Sequence, residues 1–368
     1  MTMSSRLLAR PRALAMVAGA ALLLLGGCAA TAYLSQSIGG ELDLLRRSVP
    51  IDSVISDPKT APDLRARLAK VQAIRNFAST ELKLPDNGSY RRYAQLDRPY
   101  VIWNVFAAPA LSLQLVEWCF PIAGCVGYRG YFSEAEAKQF AAGLHSQGLD
   151  VYTAGIPAYS TLGFFDDPVL STFVRYPEPE IARLLFHELG HQVAYASGDT
   201  MFNESFAVSV EREGMRRYLD GADPAMARDY AVSSGRREDF LALVDTARQR
   251  LREAYAAAGD DGTRASAKAR VIDELRRDYQ ELRNGKWGGY AGYDGWFATD
   301  LNNAKLASLA VYSARVPAFE ALLAREHGDL AKFYAEVKRL AAMPKPARDA
   351  ALDKLQPGVA GAGTAARN

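Results

Sequence analysis

The chain contains only four histidines, and two of them stand in His187-Glu188-Leu189-Gly190-His191. On a helix, positions four apart lie on one face, about one turn from each other. Two imidazoles so placed can share one tetrahedral Zn²⁺, at about 2.0–2.1 Å each. Glu188, beside the first of them, takes the place of a general base acting on a metal-bound water. A catalytic zinc uses three protein ligands and keeps one position open. Glu204, in Asn203-Glu204-Ser205-Phe206-Ala207, becomes the third ligand if the chain turns through Ser197-Gly198-Asp199 and runs back beside the first helix. Glu211, further along the same face, is the alternative ligand or a partner for a ligand's second ring nitrogen, and Asn203 is a candidate for the same supporting part.

These residues need two helices to position them, and the flanking sequence predicts both. Ile181, Leu184, Leu185 and Val193 supply apolar positions for a helix over about 179–196, opened by Pro179. A second helix is expected over about 203–219. Gly190 costs a helix interior about 1 kcal/mol against Ala, so close packing is expected there. Ahead of this pair the period changes to that of strands, over 100–106, 113–118, 128–132, 150–153 and 161–165. Within that stretch Ser133-Glu134-Ala135-Glu136 is a capping box that opens a helix to about Gln147. Helical spacing is also read at 34–45, from Pro62 to the turn at Pro85-Asp86-Asn87-Gly88, over 239–258 and 264–282, and from 302 to 340 with a break at Pro317. An aromatic, Gly-rich loop covers 287–296. The fold class expected is therefore α+β and predominantly helical, with a small sheet and the His-bearing helix at its centre.

Apolar residues make up 49% and charged residues 23% of the 368 residues, which suits a folded chain and argues against wholesale disorder. A net charge of +2 and the lack of a basic stripe argue against a nucleic-acid partner. At the start, Arg6, Arg10 and Arg12 precede an uncharged apolar run from Ala13 to Leu25, as in a signal peptide. The run ends in Leu25-Gly26-Gly27-Cys28, which resembles a bacterial lipobox. That resemblance implies cleavage before Cys28 and a lipid on its thiol, holding the protein to a membrane. Ala29 behind it points to the outer membrane, facing the periplasm. The two other cysteines, Cys119 and Cys125, are expected to form a short-loop disulfide in that oxidising compartment.

The organisation expected is a signal peptide at 1–27, an anchor and linker helix at 28–60, a zinc-peptidase core at 61–220, a helical region at 221–356 packed on it, and a disordered tail at 357–368. The HExxH motif followed by a helix carrying Asn203-Glu204 resembles the gluzincin class of zinc peptidases. Together with Trp118-Cys119-Phe120-Pro121, the stretch from Gly124 to Phe132 and the stretch from Ala158 to Gly163, it resembles a bacterial family of predicted aminopeptidase lipoproteins. The resemblance implies a zincin-like core, one Zn²⁺ per chain, a peptide substrate and Glu188 as the base. Tyr159 to Phe165 would then be the edge strand to which an extended peptide adds by backbone hydrogen bonds. Asp166 and Asp167 would hold its amino terminus, or form a turn before Pro168. Tyr290, Tyr293 and His327 are candidates for the donor to the oxyanion. A Gly-x-Met-x-Asn strand motif does not occur. The alternatives are a zinc endopeptidase of envelope proteins and a non-catalytic zinc-binding lipoprotein.

Overall fold

The computed structural model describes residues 33–120, 124–257, 259–309 and 315–355. The signal peptide, Cys28 and the tail from 357 lie outside them. A first helix, α1 (33–47), belongs to one unit, and everything from Ser48 onward belongs to a second. Val49 and Pro50, within the stretch expected as linker, pair with Tyr93 and Arg92. No helix among the described residues is long and apolar enough to cross a membrane.

The second unit starts with β1 (Val49–Pro50), α2 (Ile51–Ser56), α3 (Pro62–Thr80) and β2 (Arg92–Ala94). Next come β3 (Ile102–Pro109), β4 (Trp118–Phe120), β5 (Gly124–Val126), β6 (Arg129–Tyr131), α4 (Glu134–His145), β7 (Leu149–Ile156) and β8 (Val169–Leu170). The rest is helical: α5 (Glu178–Val193), α6 (Thr200–Asp220), α7 (Pro224–Ala256), α8 (Asp261–Asn284), α9 (Asp294–Ala298), α10 (Asn303–Ser308), α11 (Val316–Arg325), α12 (Leu330–Ala341) and α13 (Lys345–Asp353). The fold is predominantly helical α+β with small sheets. One sheet runs β6-β3-β7, antiparallel throughout, with Trp103 opposite Tyr131 and Gly155. A second runs β1-β2-β8, in which β2 and β8 are parallel. A β4–β5 hairpin stands alone, with Cys119 opposite Cys125 and a disulfide between them.

Three expected elements differ. Residues 113–117 carry no strand, and pairing begins only at Trp118. Residues 161–165 form a turn rather than an edge strand. Leu162 and Gly163 both take positive φ (58° and 81°), which no ladder accommodates. Thr161 instead bonds locally: its N–H and hydroxyl donate to the Asp167 carboxylate, and its hydroxyl also accepts from Phe165 N–H. The helix expected from 239 begins at Pro224, capped by Asp223, whose side chain accepts from Ala225 N–H. Its partner α8 packs on it through Phe240, Val244, Leu251, Ile272, Leu275 and Tyr279.

Candidate metal centre

Helix α5 starts with Glu178 and Glu180 in its first turn, where carboxylates suit the positive end of the helix dipole. It buries Ile181, Leu185, Phe186 and Leu189. Ala194 is extended and stops it. The reversal into α6 is held by side chains. Asn203 grips Ala196 at both backbone groups, accepting from its N–H (2.7 Å) and donating to its carbonyl (2.9 Å). Asp199 caps α6 by accepting from Phe202 N–H, and is in turn held by Arg348 at 2.8 Å. Gly190 faces α6 closely: a Cβ there would just touch, at 3.4 Å from the Ala207 Cα and from the Val210 Cβ. A larger side chain would push α6 away. The disulfide hairpin backs the same reversal. A Cβ on Gly124 would come within 2.5 Å of Gly198 N, so only glycine fits this contact at φ +76°.

This packing brings three donors together. His187, His191 and Glu204 offer ligand atoms that all lie within 4.8 Å of one another. Glu204 turns one oxygen to each imidazole, at 3.3 Å from His187 Nε2 and 3.7 Å from His191 Nε2. Two nitrogens and a carboxylate converging on one point form a set able to hold a divalent cation. Glu211 is not among them. It stands behind His187, with Oε2 3.1 Å from Nδ1. Arg183 and Arg237 each reach Glu211 at 3.1 Å, and both also pair with Glu180. His191 Nδ1, by contrast, is buried without a hydrogen-bond partner. One of the two imidazoles is therefore oriented from behind and the other is not.

Electrostatics follow from burial. Burial pulls the His191 pKa down to about 4, so it is neutral and its lone pair is available. Burial also works to lower His187, but hydrogen bonds with Glu204 and Glu211 overcome it and lift the group to about 10. Glu211 is buried too, yet Arg183, His187 and Arg237 hold it at about 2. For Glu188 burial prevails: with the Glu204 and Asp167 charges it outweighs the pull of His187 and Arg183 and raises the group to about 7.

Of the other expected residues, Asp167 lies beside this site: its charge raises the Glu188 pKa. Its carboxylate accepts from Thr161 N–H and Oγ1, Ser160 Oγ and Gln192 Nε2. Those donors occupy it, so it clasps the 160–167 turn instead of awaiting an amine. Asp166 is exposed, with its carboxylate against Gly88. Tyr159 packs edge-on to Phe132. Tyr290 is exposed beneath Arg236, and Tyr293 stacks on Phe240 within the cluster of the α7–α8 pair. His327 ends α11 at φ +54°.

Sequence reasoning missed Arg183, Arg237, Gln192 and Tyr90. Arg183 and Gln192 had a signal, since they lie one turn from His187 and Glu188 respectively. Arg237 and Tyr90 arrive from distant segments and had none.

Residues 32–352 of the chain match the family described as "Putative aminopeptidase". No curated protein and no solved structure matches. The match runs from α1 into α13 and includes every residue of the centre, so the chain belongs to the "Putative aminopeptidase" family.

Proposed function

We propose that this chain is a zinc-dependent aminopeptidase of the bacterial cell envelope, tethered by a lipid on Cys28 to the outer membrane and facing the periplasm. One observation carries the reading: two imidazoles and a carboxylate converge from one helical hairpin, with a buried, otherwise unpaired Glu188 beside them. The donor set fits Zn²⁺, with His187, His191 and Glu204 as ligands and Glu211 fixing the first histidine. The family match supports peptide hydrolysis. The Cys119–Cys125 disulfide suits an exported protein.

When bound, the metal supplies Lewis acidity toward the scissile carbonyl and acidifies water. Glu188 then does the proton work. A carboxylate near pH 7 can take a proton from the attacking water and return it to the leaving amine.

The test is hydrolysis of free-amino and amino-blocked peptides by the full-length protein, with zinc measured. Chelation is expected to abolish cleavage and one Zn²⁺ per chain to restore it. Cleavage confined to free-amino peptides supports the aminopeptidase. Cleavage of blocked peptides would instead make it an endopeptidase, and a zinc-loaded protein that cleaves nothing would be a binding lipoprotein.

Glu211→Gln keeps the shape of the side chain but removes the charge behind His187. Zinc affinity is expected to fall about 10–100-fold, as for other partners of metal-bound histidines. Competition against a chromophoric chelator measures this, and an unchanged affinity would remove Glu211 from the site.

A further inference from the structure

Among the tyrosines of the described residues, Tyr90 is singular. Its side chain is 1% exposed, and its phenolic oxygen is buried with no hydrogen-bond partner. Its backbone sits at φ +61°, a conformation that a bulky aromatic residue adopts only when the surroundings impose it.

The surroundings do impose it. Arg75, fully buried, donates to the carbonyls of Ser89, Pro85 and Asn87 and freezes the loop before Tyr90. Tyr90 N–H donates to the Asp167 carbonyl at 2.6 Å. The same loop is pinned to α5 through one residue: Asn87 Nδ2 donates to Gln192 Oε1 at 2.8 Å, and Gln192 Nε2 donates to Ser89 Oγ at 3.1 Å. Gln192 lies one helical turn from Glu188, on the same face of α5. The loop therefore carries Tyr90 onto the face that bears Glu188. The two carboxylates whose charge acts on the phenol are those of Glu188 and Asp167.

A buried hydroxyl left unpaired costs stability, and so does a strained backbone. Both costs are concentrated in one side chain beside the proposed base. We propose that Tyr90 is a catalytic residue of this centre, its O–H donating a hydrogen bond to the oxygen anion that develops on the substrate's scissile carbonyl. This rests on the peptidase reading above. The phenol donates without giving up its proton. Burial, reinforced by the Glu188 and Asp167 charges, holds its pKa well above the usual phenol value, so it remains a donor at neutral pH.

Tyr90→Phe removes this one oxygen and keeps the ring. In the full-length, zinc-loaded protein, kcat on a free-amino peptide is expected to fall on the order of 100-fold, with KM changed less than about threefold. Zinc content should hold, and the melting temperature should hold or rise, since the variant loses no hydrogen bond and sheds a buried unpaired hydroxyl. Binding of a phosphonate peptide analogue, whose tetrahedral anionic oxygen stands in for the oxyanion, should weaken at least tenfold by calorimetry. An active wild type with an equally active Tyr90→Phe overturns the assignment and leaves the peptidase reading standing. A lowered melting temperature in Tyr90→Phe also overturns it, by making the residue a packing element. A wild type that cleaves no peptide removes the peptidase reading, and this assignment with it.

Discussion

Glu188→Gln is expected to lower kcat about a thousandfold while zinc content stays at one per chain. General acid–base groups contribute 10²–10⁴-fold, and the donor set of His187, His191 and Glu204 does not include this side chain. The substitution should also reveal the cost of burying this carboxylate. Glu188 is 9% exposed, and burial raises its pKa in the fold from 4.5 to about 7. A raised folded-state pKa gives stability that is complete below the unfolded value of 4.5 and is lost as pH rises through about 7. Glutamine mimics the protonated form and never undergoes that loss. Metal-free Glu188→Gln should therefore melt with wild type at pH 4 and above it at pH 8. Melting curves of the chelated proteins check this. A variant that hydrolyses peptides at the wild-type rate would remove Glu188 as the base.

The second large effect concerns stability. Arg348 and Asp199 are 4% and 3% exposed, and the guanidinium reaches one carboxylate oxygen through Nε at 3.0 Å and Nη2 at 2.8 Å. The same guanidinium donates to the carbonyls of Ala341 and Met343. Arg348→Ala strips a buried carboxylate of its main partner, a change that costs about 3–5 kcal/mol. Lys345, at 3.3 Å from the same oxygen, offsets part of that, so about 3 kcal/mol is expected. Urea unfolding of the two proteins measures it, and a loss below about 1 kcal/mol would show the pair to be dispensable. Because Asp199 caps the helix that carries Glu204, zinc affinity should fall in the same variant.

The three clustered donors were legible because their geometry is local. A four-residue spacing places His187 and His191 on one face whatever the rest of the fold does, and Glu204 needs only a reversal at Ser197-Gly198-Asp199. Gly190 announced a close approach, and α6 makes it. The turn at 160–167 was illegible for the opposite reason. Leu162-Gly163-Phe164-Phe165 has the composition of a strand, but Asp167 and Thr161 satisfy its polar groups from within. Tyr290 and Tyr293 have the right chemistry for an oxyanion donor, and the structure gives them other partners, the Arg236 guanidinium and the Phe240 ring. Tyr90 has that chemistry too. Its position is set by Arg75 and by the hold of its loop on Gln192, contacts that no periodicity reveals.

The range of these contacts separates two properties of the centre. All three proposed ligands lie in one helical hairpin, so bringing them together costs little chain entropy. Tyr90 reaches the same face through pairings distant in sequence, such as Asn87 with Gln192, and Arg237 reaches Glu211 from another helix. Contacts of that range form only when most of the chain is in place. In the proposed enzyme the ligand set is thus assembled locally, whereas competence to turn over substrate is a property of the finished fold.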